Sequence, residues 1–308
     1  MGRKRKGRPI HGWLVIDKPQ GITSSAAVTR VKHLTGAARV GHAGTLDPMA
    51  TGVLPIALGE ATKTVAFAMD GVKRYRFTAR WGEERTTDDA EGEVTETSGR
   101  RPTEAELRNA LPAFVGDIEQ VPPAHSAVKV KGRRAYELAR EHAAVVLAPR
   151  RVRIERFDLL GMPDADRADF EVVAGKGAYM RSLIRDLARR LGTFGHVAAL
   201  QRIAVGPFSL ERAISLENLQ SLVHSSRLDE VLLPVESVLV DIPALALTEA
   251  EAGRMKRGEA VSLLGVATRS PLEGVQQDQV VCAMAAGRPV ALARVTGGEI
   301  RPFRVLNL

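Results

Sequence analysis

The stretch Arg39–Lys63, RVGHAGTLDPMATGVLPIALGEATK, is the segment from which the rest of the chain is read. Gly41, Gly44, Gly52 and Gly59, with Gly36 just upstream, surround one acidic side chain, Asp47, and Pro48 follows it. Glycine permits positive φ and the close approach of another molecule, so the segment predicts a tight loop feeding a buried strand. That strand is Val53 to Leu58, short, apolar and bounded by Gly52 and Gly59. A carboxylate on a glycine-framed loop beside a core strand is a candidate catalytic group. Local chemistry alone favours a plainer role, because Asp-Pro is ordinary turn chemistry. In that reading Asp47 caps a short helix with Pro48 at its first position.

With 308 residues, the length predicts two domains, each able to bury a core. The apolar share is 44% and no apolar run reaches membrane-spanning length, so a soluble, cytoplasmic protein is expected. The basic start, Gly2 to Arg8, is not followed by the apolar core of a signal peptide. One cysteine, Cys282, excludes an internal disulfide and a cysteine-rich zinc site. The seven histidines lack HExxH or other short ligand spacing, so no metal site is expected.

The net charge of +8 points to a polyanionic partner, but its distribution is uneven. Residues 1–10 hold five basic and no acidic side chains, which leaves 39 basic against 36 acidic elsewhere, or +3. A disordered basic tail over residues 1–9 is expected, adding salt-sensitive attraction to phosphates. The segment His125–Arg156 is more informative, with nine basic and three acidic side chains, +6 over 32 residues.

Elsewhere the patterns are regular. Gly12 to Asp17 reads as a strand, and Thr23 caps a helix over Ser24 to Leu34 that Gly36 stops. Glu60 to Met69 reads as one helix; Lys63-Thr64 lacks the preceding glycine of a phosphate-binding loop. Lys73 to Trp81 alternates, with Tyr75, Phe77, Ala79 and Trp81 on the apolar face of a half-buried strand. Glu83 to Glu96, with seven acids and one base, reads as an acidic hairpin. Thr103 with Glu106, and Thr248 with Glu251, are capping boxes. Two strands, Arg150 to Leu160 and Ala168 to Ala174, lead to a helix whose stripe is Tyr179, Leu183, Leu187 and Leu191. Its second row, Arg181, Arg185 and Arg189, reads by periodicity as a solvated face. A strand over His196 to Val205 and a helix from Ser215 follow, with a domain boundary near Val240–Pro243. Beyond it the chain is strand-rich and dense in glycine.

Five blocks carry a resemblance: IDKPQGITS (16–24), GHAGTLDPMATGVLP (41–55), KRYRF (73–77), VPPAHSAVKVKGRRAYELAR (121–140) and KGAYMRSLIRDL (176–187). In order and approximate spacing they resemble the TruB family of tRNA pseudouridine-55 synthases, from about His11 to the C-terminus. The resemblance implies an α/β (α+β) fold, a mixed and largely antiparallel sheet flanked by helices, with a small C-terminal β-rich, PUA-like domain. It divides the chain into a catalytic domain over 10–241, with an RNA-gripping insertion over 124–152, and an RNA-binding domain over 242–308. It makes Asp47 the catalytic aspartate, Arg181 its partner, and Tyr75 the ring that stacks on the target base and takes part in proton movement. Lys18 and Pro19 support the loop, and His42 stands near the gap left by a flipped-out nucleotide. Tyr179 and Leu200 shape the pocket, while Lys129, Lys131, Arg133 and Arg134 grip phosphates. The implied partner is tRNA, at its T arm and elbow; no cofactor, membrane or obligate protein partner is expected, and the chain acts as a monomer. Two positions depart from the family pattern: Arg85 stands where threonine is common, and His125 where tyrosine is usual.

Uridine becomes pseudouridine when the N1–C1′ bond breaks, the base turns, and C5 bonds to C1′. No redox change or energy input is involved, so the chemistry calls for no cofactor. It calls for one ionised carboxylate in a dry pocket, which burial disfavours and an always-charged guanidinium offsets. Three readings stay open: the synthase, a non-catalytic tRNA-binding or folding protein, and a glycosidase. The second has no need of Asp47 with Arg181, and the third normally wants two carboxylates flanking its bond. The glycine loop contains no second acid. Within the same superfamily, the retained basic insertion argues for a stand-alone enzyme over a guide-RNA-directed one.

Overall fold

The computed structural model describes residues 7–126, 128–130, 133–135, 147–270 and 275–308. Its larger sheet runs in the order Gly12–Lys18, Thr51–Leu58, Gly195–Val205, Lys73–Trp81, Arg167–Ala174, Arg150–Asp164 and Gly116–Gln120. Short strands Val40–His42 and Phe208–Ser209 pair at its margins. Neighbours are antiparallel except Gly195–Val205 beside Thr51–Leu58, whose short parallel contact joins Gln201 to Thr51 and Arg202 to Gly52. A late strand therefore sits between two early ones, and it brings residue 202 against the loop that carries Asp47.

Burial follows the alternation of each strand. Leu14 and Ile16, Leu54 and Ile56, Phe77 and Ala79, and Phe170 and Val172 face one core with the helices Ser24–Thr35, Glu104–Ala110, Met180–Arg190 and Leu216–His224. Trp13, Val15, Val53 and Ala57 face a second core on the other side, so the first two strands are apolar on both faces. The outer side of Lys73–Trp81 is charged: Glu171 accepts Arg76 at 2.9 Å and Arg156 at 2.6 Å across neighbouring strands.

Local signals act as read at several helix ends. Thr23 accepts from Ala26, Gly36 closes the same helix in the left-handed region, and both capping boxes form. Glu60 to Met69 differs from expectation. It is a 3-10 turn, Gly59–Lys63, and then a separate helix, Val65–Asp70. The break is at Thr64, whose N–H and hydroxyl both donate to the Ala61 carbonyl and tighten the turn to i→i+3.

A second, five-stranded sheet runs in the order Ala244–Ala246, Val280–Ala285, Arg288–Thr296, Glu299–Val305 and Val261–Ser262. The chain end returns to the first sheet. Lys63 donates to the Val305 carbonyl at 2.5 Å, the buried Glu60 carboxylate accepts from Asn307 N–H at 2.8 Å, and Leu306 enters the second core.

Candidate active site

Asp47 lies in a turn, not at a helix start: Ala50 N–H donates to the Asp47 carbonyl and no helix follows. The turn is held from both sides. The Ser24 hydroxyl, at the first residue of its helix, donates to the Leu46 carbonyl at 3.0 Å and accepts from Leu46 N–H at 2.8 Å. Lys18, with no exposed surface, donates to the carbonyls of Pro19, Ile22 and Pro48. Gly21 N–H also donates to Pro48 at 2.8 Å. The Lys18–Gly21 turn is thereby tied to the residue next to Asp47. Burial lowers the Lys18 ammonium to about 8, against the opposing fields of Asp47 and Glu91.

Arg181 comes to this turn from the start of the helix Met180–Arg190. Its Nη2 lies 2.9 Å from Asp47 Oδ2 and its Nη1 3.3 Å from Asp89 Oδ2. It also donates to the Thr87 carbonyl at 2.8 Å and the His125 carbonyl at 3.0 Å. Asp89 is buried and saturated locally, accepting from the Thr87 hydroxyl at 2.6 Å and from Glu91 N–H at 3.0 Å. The glycine loop thus gains a carboxylate neighbour from the acidic hairpin, through the shared guanidinium. Asp89 is buried, with one oxygen on Thr87 and Glu91 and the other beside Arg181, and so is not the free second acid of a glycosidase. His125 contributes a backbone carbonyl here, so the unusual side chain at that position leaves this contact intact.

The row Arg181, Arg185, Arg189 is not a solvated face. Arg181 and Arg185 are buried, and only Arg189 faces solvent. The hairpin and the Val121–His125 segment cover the first two, with Arg185 meeting Asp88 at 2.9 Å and the Val121 carbonyl at 2.9 Å.

Tyr75 is half-buried on the core-facing side of its strand and stands opposite Arg202 in the ladder. Arg202 is 1% exposed and donates to the carbonyls of Gly44 at 2.9 Å, Thr45 at 3.4 Å and Val53 at 2.9 Å. Burial lowers its pKa, with the Tyr75 hydroxyl and the Asp47 charge acting in the other direction. Tyr179 is the N-cap of the Arg181 helix, and the Gln120 side chain fixes its backbone through two hydrogen bonds, at 3.0 and 2.8 Å. Burial pushes its phenol pKa up. Leu200 is buried on the same strand as Arg202 and borders a groove of about 720 Å³ with Gln20, Met49, Arg76, Phe77 and Met162. Asp47, Tyr75 and Arg181 do not line that groove.

The remaining expected residues are more dispersed. Pro19 is exposed and acts through its carbonyl on Lys18. His42 is half-buried at the end of Val40–His42, paired with Ile56. Lys129 and Arg133–Arg134 lie on a two-stranded ladder, while Lys131 falls outside the described residues. Among the described residues no three His, Cys, Asp or Glu side chains are placed to hold a metal ion.

Arg202 and Gln120 escape a motif-based reading. A signal for Arg202 does exist: it occupies a core-facing position, two along from Leu200, in a largely apolar strand.

A mixed sheet carrying a loop aspartate against a buried arginine is what the resemblance to the pseudouridine synthases implies, and comparisons with known proteins bear on the family. Residues 32–180 match the N-terminal domain of the TruB family pseudouridylate synthases, and residues 181–240 match the C-terminal domain of tRNA pseudouridylate synthase B. The tRNA pseudouridine synthase B of Rhodospirillum rubrum is 55% identical over 308 residues, covering 100% of both chains. That of Gluconacetobacter diazotrophicus is 56% identical over 305 residues, covering 99% of this chain and 100% of its own. A chain from a Cbf5-Nop10-Gar1 complex superposes with a TM-score of 0.76 at 23% identity, over 96% of this chain and 85% of that one. A chain of an H/ACA RNP bound to a substrate RNA containing 2′-deoxyuridine gives 0.75 at 21%, over 100% and 92%. These two show the shared fold. The chain belongs to the TruB family of pseudouridylate synthases.

Proposed function

We propose that the chain isomerises uridine to pseudouridine in tRNA, at position 55 of the T loop, on a nucleotide flipped out of its stack. The observation that carries this reading is the contact of Asp47 with Arg181 at 2.9 Å. Arg181 holds the carboxylate in one orientation, while the exposed part of Asp47 meets the ribosyl–uracil linkage. The N1–C1′ bond breaks, the base turns, C5 bonds to C1′, the C5 proton leaves to water, and N1 takes up a proton in its place. Tyr75 stacks on the base and serves the proton movement, and Tyr179 and Leu200 bound the space in which it turns.

Lys129, Lys131, Arg133 and Arg134 grip phosphates of the T arm, and residues 242–308 form a PUA-like domain that adds contacts to the rest of the tRNA. The enzyme works in the cytoplasm as a stand-alone monomer. Among the described residues no helix is long and apolar enough to cross a membrane. A tRNA-binding protein without catalysis has no use for a buried arginine holding a part-exposed aspartate.

The test is purified protein with a T-arm transcript carrying tritium at C5 of the target uridine and no added cofactor. Label released to water, in proportion to pseudouridine formed, is the expected result. Tight binding without release would leave the non-catalytic reading in its place.

A further inference from the structure

We infer that Arg202 is a positioning residue for the reaction, clamping both arms of the loop that presents Asp47 and setting the loop against Tyr75. This rests on the proposed isomerase activity.

The loop enters at Gly44–Thr45 and leaves at Val53, and Arg202 donates to carbonyls on both sides of that gap. One planar fork therefore spans the base of the loop, and Asp47 is at its tip. The two glycines that frame the aspartate both lie against residue 202, one on its backbone and one on its side chain. Gly52 has φ +97°, and a Cβ there meets the Arg202 carbonyl oxygen at 2.3 Å, so that strand contact exists only with glycine. Gly44 has φ +92°, and a Cβ there stands 3.3 Å from Arg202 Nη1. Gly52 thus admits the backbone of residue 202, and Gly44 alone faces the Arg202 side chain.

Chemistry favours a role beyond filling space. An arginine with 1% of its surface exposed is costly to bury, and Met or Leu would fill such a volume at less cost. Its donors go to backbone carbonyls, and it stands opposite Tyr75 across the ladder. An always-charged, five-donor fork holds these carbonyls in one rigid plane, which an apolar side chain cannot do and the compact ammonium of lysine does without the planar geometry. The arginine therefore relates the loop to the Tyr75 strand, the one distance that a base held between Asp47 and Tyr75 depends on.

The experiment uses full-length Arg202→Met and Arg202→Lys proteins and the C5-tritiated T-arm transcript. Three quantities are measured: single-turnover rate at saturating enzyme, transcript Kd, and amide hydrogen exchange across Ala43–Gly52. Arg202→Met should keep Kd within about threefold and lose roughly 100-fold in rate, the size of loss a 1 Å misplacement brings. Exchange should quicken in the loop and not in the strand Lys73–Trp81. Arg202→Lys should recover part of the rate, in step with loop protection. If Arg202→Met does not fold, Arg202→Lys decides against wild type, since it keeps the charge and loses the planar fork and should slow turnover at unchanged Kd.

A folded Arg202→Met within threefold of the wild-type rate overturns the inference. So does a rate loss matched by an equal loss of affinity, and so does failure of both variants to fold. An inactive wild-type protein would instead remove the isomerase reading itself, which separates the two failures.

Discussion

Arg181 and Asp47 touch at 2.9 Å but differ in access, the arginine side chain being 4% exposed and the aspartate 33%. The guanidinium is anchored from behind by Asp89 and the Thr87 and His125 carbonyls, so the carboxylate is held from within and open outward. A reacting group is served well by such an asymmetry: orientation is set before the substrate arrives.

Asp47→Asn keeps size and hydrogen bonding but removes charge and nucleophilicity, so product formation should be undetectable while tRNA affinity is largely kept. Arg181→Met should nearly abolish activity, and Arg181→Lys should restore little because an ammonium lacks the bidentate fork. Groups acting as a unit lose activity non-additively, so the double variant should be hardly worse than Asp47→Asn. Single-turnover assays decide it; an Asp47→Asn rate within tenfold of wild type contradicts the mechanism.

Arg185 and Asp88 form a buried pair, each 11% exposed, at 2.9 Å. Burial pushes the Asp88 carboxyl pKa up while Arg185 and Arg181 oppose the shift. Arg185→Met leaves that carboxyl without its main partner, which costs about 3–5 kcal/mol of stability. Thermal melts should show it as a drop of roughly 2–4 °C per kcal/mol for a unit of this size. Adding Asp88→Asn should recover part of the loss, because asparagine tolerates the φ of +58° found there. An unchanged Tm in Arg185→Met refutes the assignment.

Lys18 supplies the pH dependence. Its ammonium has three donors for three carbonyls, and burial brings its pKa from 10.5 to about 8. Above about 8 the neutral amine releases one carbonyl and loses its charge, so the single-turnover rate should fall. Stability should move in the other direction. Between about 8 and 10.5 the unfolded chain binds more protons than the folded one, so this group's burial penalty is relieved as pH rises. Lys73, also near 8 through burial, adds to the stability slope. Lys73→Met should therefore flatten the slope and leave the alkaline limb of the rate in place. A rate limb that survives Lys18→Met would assign it elsewhere.

Neutralising Lys129, Lys131, Arg133 and Arg134 together should weaken tRNA binding and flatten its salt dependence, by close to one unit of log–log slope for each phosphate no longer neutralised. The motivation is the +6 excess over His125–Arg156. Titrations at several salt concentrations read it directly. An unchanged slope would mark these charges as a solvated face.

Much of the architecture was legible from local rules. The two-residue alternation of Lys73–Trp81 marks the side carrying Tyr75, and Thr103 and Thr248 announce their helices three residues ahead of Glu106 and Glu251. What escaped were relations that a one-dimensional pattern does not contain. Periodicity assigns Arg185 to solvent because it records one helix, and the segments that cover that helix come from 86–92 and 121–125. By charge Asp89 is one acid among seven in its hairpin; with Thr87 and Gly92 it fits the family pattern, which Arg85 breaks, and the fold seats it on Arg181. Thr64 breaks a plausible helix through a hydroxyl that bonds back on its own turn.

The placement of Gly195–Val205 between Thr51–Leu58 and Lys73–Trp81 also has a consequence during synthesis. A ribosome releases the Asp47 loop and the Tyr75 strand long before residue 202, and until then the two have no common neighbour in the sheet. Two half-sheets with unpaired edges must wait for the inserting strand, and exposed edges of that kind invite association with other chains. The site would thus close in one late event, when a single strand zips both halves together. Nascent chains stalled before residue 195 should bind chaperones at those edges, and chains released beyond 205 should not.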